Sequence, residues 1–398
     1  MLNSKGEREL AYVVKIDNIF PIPNYDRVEQ AVVGGWRIIV RKNQFNIGDY
    51  AIYFEIDSKV PECEPFLFLA SKHFKVKTIK MCKTISQGLL MSFDDFIIDN
   101  KQPNWLINLN NKIAKGEDIT HYALTKDLGV IYSVAEDNQR KASKTSKVNI
   151  NSKYKFIMQY FWVKQLMKYK YSRNCILFFF GQHKKQNDWP KWVSKTDEER
   201  VQNMLWILSD KEPWIATEKI DGTSTTATYK KHKFFGHDFY ICSRNVVFDK
   251  PTKKCFYDTN VYQEMAQKYN FENILADIVK KYHLEWATLQ GETYGQGIQK
   301  RDYHLKGHDF MGFNLIFSDR GRLNSIEAAN IMAEYNIPWV PIIDTNYILP
   351  DTVDELLDYA TGMSVLDYDL REGIVFRSLD GTKSFKAVSN QFLLKYHS

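Results

Sequence analysis

The sequence predicts an α+β protein in which a small all-β barrel precedes a larger domain of antiparallel sheets with flanking helices. Two observations carry this. Residues 10–95 hold short apolar runs cut by turn residues, and residues beyond 210 alternate strand-like with helix-like segments. At 398 residues the chain exceeds one ordinary domain. A hydrophobic content of 44% with 14% aromatics is enough to build cores, which excludes a disordered chain.

In the N-terminal part, apolar stretches at Leu10–Ile16, Trp36–Val40 and Tyr50–Ile56 are separated by Pro21, Pro23, Gly34-Gly35, Gly48-Asp49 and Pro61. Gly34-Gly35, between Val33 and Trp36, reads as a two-residue hairpin loop, and Gly48-Asp49 as a second turn. Short strands at this spacing suit an OB-fold barrel. Lys75, Lys77, Lys80 and Lys83 lie among apolar residues between Phe74 and Ser86. That face either tracks a phosphate backbone or is an ordinary solvated strand. A short helix over 117–132 is expected to close a first domain of residues 1–135. Residues 136–153 are polar and basic and read as a linker.

Residues 154–398 form the expected second domain. Tyr154–Gln186 mixes aromatics with lysines that could stack on nucleic acid, but reads rather as an amphipathic helix plus a buried strand at Ile176–Phe180. Thr196 to Glu199 has capping-box spacing, and Val201, Met204, Leu205 and Leu208 would be the apolar face of the helix that follows. Arg200 and Gln202 fall outside that face. Further on, a strand ends at Cys242-Ser243-Arg244-Asn245, a helix spans Asn260–Lys281, and a strand at Trp286–Gly291 runs into Glu292 and a glycine-punctuated turn. A strand at Phe310–Phe317, a helix near Ser325–Tyr335 and strands at Arg371–Arg377 and Ser384–Val388 complete the expected order.

The formal charge of +6 suits a polyanionic partner. Five scattered cysteines with no CxxC pair argue against a structural zinc site and a disulfide scaffold. The N-terminal residues carry no secretory h-region, and the longest apolar run, Cys175 to Gly181, is too short to span a bilayer. A protein of the cytoplasm or another reducing compartment, without a membrane partner, is expected.

The chemistry centres on Trp214–Tyr229, WIATEKIDGTSTTATY, which reads as strand, tight turn, strand. Such a turn presents Lys219 and Asp221 together at the lip of a sheet. A lysine amine, with a free pKa of about 10.4, attacks phosphorus or carbonyl carbon once cationic or apolar surroundings lower that value. Alone, Lys-x-Asp-Gly reads equally well as a surface hairpin. Arg244, Glu292, Glu372 and Lys386 are further charged residues at strand edges. Converging carboxylates can hold a hydrated divalent cation, and Arg and Lys can grip phosphate oxygens. Phe313 or Phe317 could stack on a base, although both could equally be core. His304 and His308 are read as structural, because Gly307 argues against a metal-binding helix there.

Six segments, EKIDG, SRN, GETYGQG, FNLIF, REGIVF and SFKAVS, stand in the order of motifs I, Ia, III, IIIa, IV and V of the RNA ligase branch of the covalent nucleotidyltransferases. IFPIPNYDRVEQAVVGGW, FNIGDYAIYFEIDSKVP, TISQGLL and KTDEERVQ resemble the Deinococcus/Naegleria-type RNA ligases, which carry an OB domain ahead of an ATP-grasp-like nucleotidyltransferase domain. The resemblance implies an ATP-dependent, monomeric RNA ligase. It would seal breaks with 3′-OH and 5′-phosphate ends, as nicks in duplex RNA or an RNA/DNA hybrid, through lysyl-AMP.

By the same resemblance Lys219 carries AMP, Glu218 belongs to the nucleotide site, and Arg244 contacts ribose or RNA phosphate. Asp221, Glu292 and Glu372 orient the water shell of Mg²⁺ or Mn²⁺, and Glu292 also touches ribose. Phe313 stacks on adenine with Phe317 as a substitute, Lys386 engages the α-phosphate and lowers the pKa of the nucleophile, and Arg200 meets the pyrophosphate end of ATP. One departure stands out. Many relatives have Lys-x-Lys in motif V, whereas Ser384 and Val388 flank Lys386 here, leaving Lys383 or Lys395 as the second lysine.

Two alternatives remain. DNA ligases and mRNA capping guanylyltransferases place an OB domain after motif V, but only twelve residues follow Lys386. A non-catalytic nucleic-acid-binding relative is opposed by the intact Lys219, Glu292 and Glu372.

Overall fold

A computed structural model describes residues 1, 8–133, 189–196, 198–248, 257 and 259–396. The chain divides into two compact units, Met1–Val130 with Asp188–Ser398, and Ile131–Asn187. The expected linker at 136–153 and the expected helix and strand within 154–186 lie outside the described residues.

The N-terminal domain holds eight main strands. These are β1 (Ala11–Lys15), β2 (Asn18–Pro21), β3 (Val28–Val33), β4 (Trp36–Arg41), β5 (Tyr50–Phe54), β6 (Thr78–Met81), β7 (Thr84–Gln87) and β8 (Leu89–Met91). They pair antiparallel as β1-β5-β8, β2-β3-β4 and the hairpin β6-β7. Gly34 and Gly35 turn the β3–β4 hairpin at φ 53° and 78°, a conformation that a side chain would disfavour. Trp36 stacks on Tyr53 at 6.0 Å inside a core that also holds Val14, Ala31, Ile38, Ala51 and Leu90.

The expected closed barrel is an OB-fold domain whose ladder is interrupted among the described residues. Between β4 and β7, Arg37 N and Ile39 N donate to the side chains Gln87 Oε1 (3.4 Å) and Ser86 Oγ (3.0 Å). Side chains thus take the place of a main-chain ladder at that seam. The expected closing helix over 117–132 is also corrected. The helix is α1 (Asn104–Ala114), which buries Leu106 and Leu109. Residues 117–132 do not coil because their amides are engaged elsewhere. His121 N and Leu124 N both donate at 2.8 Å to the β1 carbonyls of Val13 and Ala11, and the Asp118 carboxylate holds a local turn through Thr120 N.

The second domain is built on two antiparallel sheets. The strands are β9 (Trp214–Lys219), β10 (Thr223–Lys231), β11 (His237–Cys242), β12 (Val247–Phe248), β13 (Trp286–Gly295), β14 (His308–Phe317), β15 (Gly321–Arg322), β16 (Ile342–Tyr347), β17 (Gly373–Ser378) and β18 (Ser384–Val388). The six-stranded sheet has the order β12-β11-β10-β13-β14-β15 and the four-stranded sheet the order β16-β9-β17-β18. Helices α2 (Val261–Lys268), α3 (Phe271–Lys281) and α4 (Ser325–Ala333) pack on the first, and α5 (Val353–Ala360) on the second. The helix α6 (Asn390–Tyr396) ends the described chain.

The helix expected over Asn260–Lys281 is two, broken where Asn270 adopts φ 53°. The helix expected after Thr196 is instead two 3-10 turns, Val201–Asn203 and Leu205–Ser209. Lys386 N donates to Glu199 O at 2.7 Å, and Arg200 forms a parallel bridge with Lys386. The chain is thereby held extended beside β18, where a helix cannot start. The apolar residues of that reading are still used, with Val201, Met204 and Leu208 buried against α5 and the four-stranded sheet and Leu205 packed beside them. The sequence reading did not anticipate β16, α5 or α6.

Candidate active site

Strand alternation sorts the four-stranded sheet into two faces. Trp214 and Ala216 of β9, Ile374 and Phe376 of β17, and Phe385 and Ala387 of β18 share one core. Their alternates, Thr217 and Lys219, Val375 and Arg377, and Lys386, line a cleft of about 320 Å³. From the six-stranded sheet Ser224, Glu292 and Phe313 line the same cleft, joined by Arg244 just beyond β11. Ala227, Leu289 and Leu315 fill the core behind.

Lys219 ends β9, and its Nζ donates to Glu372 Oε2 at 2.7 Å. The turn that follows is clamped by the loop after β13. Asp221 N donates to Tyr303 Oη at 2.7 Å, and Gln299 Nε2 donates to Gly222 O at 3.0 Å. A Cβ on Gly222 would stand 2.4 Å from Thr293 O, so glycine is required for the turn to lie against β13. Tyr303 is itself held. The Arg301 guanidinium lies 4.2 Å from its ring centre and is fixed by Asp367 and the carbonyl of Leu370.

The electrostatics depart from expectation. Burial would depress the Lys219 amine, but Glu372, Glu292 and Asp221 outweigh burial and hold it above its ordinary value. Glu292 moves with it. Burial pushes its carboxyl up to about 8, opposed by Lys219 and reinforced by Glu372 and Asp221. In the ligand-free cleft the acidic neighbours thus favour the protonated amine, while burial favours the neutral form of Glu292.

Of the remaining expected residues, Arg244, Lys386 and Phe313 reach the cleft. A β-bulge decides between the two phenylalanines. The β13–β14 register runs Gln290↔Asn314 and then Gly291↔Gly312, which leaves Phe313 as the extra residue. Phe317 stays in the core, fully buried against Tyr282, while Phe313 turns to the cleft beside Ile220 and Val340. Asp221 and Glu372 stand behind the lining, next to Lys219.

Glu218 also lines the cleft, but its carboxylate accepts from Ser364 Oγ (2.5 Å) and Val365 N (2.9 Å), and burial raises its pKa. Arg200 is not among the lining residues; its guanidinium lies 5.8 Å from the Trp36 ring centre of the N-terminal domain. Neither candidate for a second motif V lysine is at the cleft. Lys383 Nζ donates to Asp210 and Lys395 Nζ to Asp369, both at 2.7 Å.

The sequence reading missed Arg377. It is 2% exposed, lines the cleft, and donates to Asn314 Oδ1 (3.2 Å) and Thr217 Oγ1 (3.1 Å). Its guanidinium lies 5.7 Å from the Phe313 ring centre, and burial lowers its pKa to about 10. An arginine inside the apolar strand IVFRS was the available signal, since a buried charge needs partners that only a polar site supplies.

Residues 10–93 match the family model of an OB-fold domain, and residues 212–397 match that of RNA ligase. No curated protein matches the chain by sequence. Among solved structures, Naegleria gruberi RNA ligase in a mutant form with AMP and Mn is 25% identical at a TM-score of 0.64, covering 98% of this chain and 99% of that one. The same protein with PPi is 25% identical at 0.63 over 98% and 99%, and an apo mutant is 25% identical at 0.64 over 98% of each chain. Fold and cleft thus define a ligase. Its second domain matches the RNA ligase family, and with an OB-fold domain ahead of it the chain resembles Naegleria gruberi RNA ligase over its whole length. Among the described residues no helix is long and apolar enough to cross a membrane.

Proposed function

We propose that the protein is an ATP-dependent RNA ligase that joins 3′-OH and 5′-phosphate ends, nicks in a duplex among them, through AMP carried on Lys219. The observation that carries this is Lys219 Nζ, 2.7 Å from Glu372 and inside a cleft shared with Glu292, Arg244, Phe313 and Lys386. The amine attacks the α-phosphorus of ATP, forming a P–N bond while the bond to pyrophosphate breaks. AMP then passes to the RNA 5′-phosphate, and the 3′-hydroxyl displaces it to form the phosphodiester.

Each residue has a part in this. Phe313 stacks on the adenine, with Arg377 at its side. Lys386 neutralises the α-phosphate, and Arg244, exposed at the cleft mouth, meets ribose or RNA phosphate. Asp221, Glu292 and Glu372 suit a hydrated Mg²⁺ or Mn²⁺. All are oxygen donors, and Glu292, pushed up to about 8 by burial and by its two acidic neighbours, would be eased by a nearby cation. Mg²⁺ keeps several of its waters, so the three carboxylates would hold the ion through them. When bound, the ion supplies positive charge that offsets the carboxylates holding Lys219 protonated. AMP and Mn in the Naegleria structure support this reading.

Labelled ATP and a divalent metal should leave covalent AMP on the wild type and none on Lys219→Ala. Labelling by GTP instead would point to a capping guanylyltransferase, and no labelling by either would refute the reading.

A further inference from the structure

Away from the cleft, one surface of the ligase domain gathers cationic and aromatic side chains that, among the described residues, no core covers. The hairpin between β10 and β11 carries Phe234 and Phe235 at its tip, 90% and 93% exposed. Its base is fixed. His232 N donates to Gly236 O at 3.1 Å, while the ring places Nδ1 3.3 Å from Phe235 O and Nε2 3.0 Å from Asp238. An ordered turn therefore presents both rings to solvent, with Lys231 and Lys233 exposed beside them.

The tip is connected to the cleft. The segment from Trp189 to Thr196 runs along the polar face of the six-stranded sheet. Thr196 Oγ1 lies 2.6 Å from Ser224 Oγ, Gln290 Nε2 donates to Ser194 O at 2.8 Å, and Trp192 Nε1 donates to Thr228 Oγ1 at 3.1 Å. At the cleft end Lys195 Nζ donates to Asn245, the neighbour of Arg244, and stands 5.8 Å from the Trp189 ring centre. Farther out Lys230 Nζ lies 4.6 Å over Trp192, whose ring is 6.0 Å from Tyr240. Cation and ring alternate in this way along β10, a path of about 26 Å.

That alternation matches the needs of an unpaired nucleic-acid strand, with cations for the phosphates and ring faces for the bases. It fits a protein partner poorly, because protein interfaces are depleted in lysine. We propose that this strip, from Arg244 and Lys195 to Phe234 and Phe235, is the track that holds single-stranded RNA leading away from the break. The proposal rests on the RNA ligase reading of the cleft.

The test uses the full chain, a fluorescent single-stranded RNA and a blunt RNA duplex. Phe234→Ala with Phe235→Ala should raise the Kd for the single strand about thirtyfold or more and leave the duplex within about twofold. Lys231→Ala with Lys233→Ala should instead flatten the slope of log Kd against log salt by about 1.5. An unchanged Kd for the single strand in the phenylalanine variant overturns the proposal. So does a variant whose only change is in the association state of the free protein, which would mark a surface between protein copies. Self-adenylylation, which needs no RNA, separates the two claims. If the wild type takes no AMP from ATP, the reading of the cleft fails, while the Kd comparison still decides the strip.

Discussion

Glu372→Gln should make the nucleophile easier to deprotonate and the enzyme slower. In the ligand-free cleft Lys219 Nζ donates to Glu372 Oε2 at 2.7 Å, the nearest of the groups that hold the amine protonated. A charge-assisted hydrogen bond of that kind contributes about 1.5–3 kcal/mol. Replacing the carboxylate by a neutral amide removes the first of the groups that raise the Lys219 pKa, so that pKa should fall. Glu292 and Asp221 remain, so part of the elevation persists. Competitive acetylation read by mass spectrometry of the Lys219 peptide across pH measures the shift, with an exposed lysine such as Lys233 as internal reference. Self-adenylylation should fall by about a hundredfold, because the same carboxylate is assigned to the metal's water shell. A Lys219 pKa that is unchanged or higher in Glu372→Gln would refute the electrostatic account.

Three further outcomes follow from the same geometry. Phe313→Ala should raise the KM for ATP about five- to a hundredfold with little change in stability, whereas Phe317→Ala, in the core, should cost about 3–5 kcal/mol in a denaturant titration. Tyr303→Phe removes the hydroxyl that accepts from Asp221 N, so self-adenylylation should slow about tenfold and need more metal while the KM for ATP holds. The folded pKa of Glu292 is raised, so its stabilising effect is full below about 4.5 and is lost as pH rises to about 8. Thermal unfolding of the ligand-free protein should therefore show Glu292→Gln gaining on the wild type as pH climbs through that window.

Much of the site was legible because motif order is a property of the chain. Lys219, Arg244, Glu292 and Lys386 were placed by short segments in series, and strand alternation then sends Lys219 and Lys386 to the same cleft face. What escaped was non-local. The choice between Phe313 and Phe317 depends on a one-residue bulge in β14 across from Gln290 and Gly291, and a period-2 pattern read along one strand does not show where its pairing slips. The stretch after Thr196 carries a sound helix-start pattern, yet a main-chain bond to Lys386, nearly two hundred residues away, overrides it. The direction of the Lys219 shift was missed for a related reason. Cationic neighbours were expected to lower it, but the distance to Glu372 and the joint weight of three carboxylates became visible only in three dimensions.

The short extended piece at Glu199 and Arg200 ties two parts of the molecule together. Its carbonyl receives the amide of Lys386, and its guanidinium lies against Trp36 in the OB-fold domain. One residue's width of backbone therefore separates the OB-fold core from the strand that presents Lys386 to the cleft, so a tilt of that domain would bear directly on the strand.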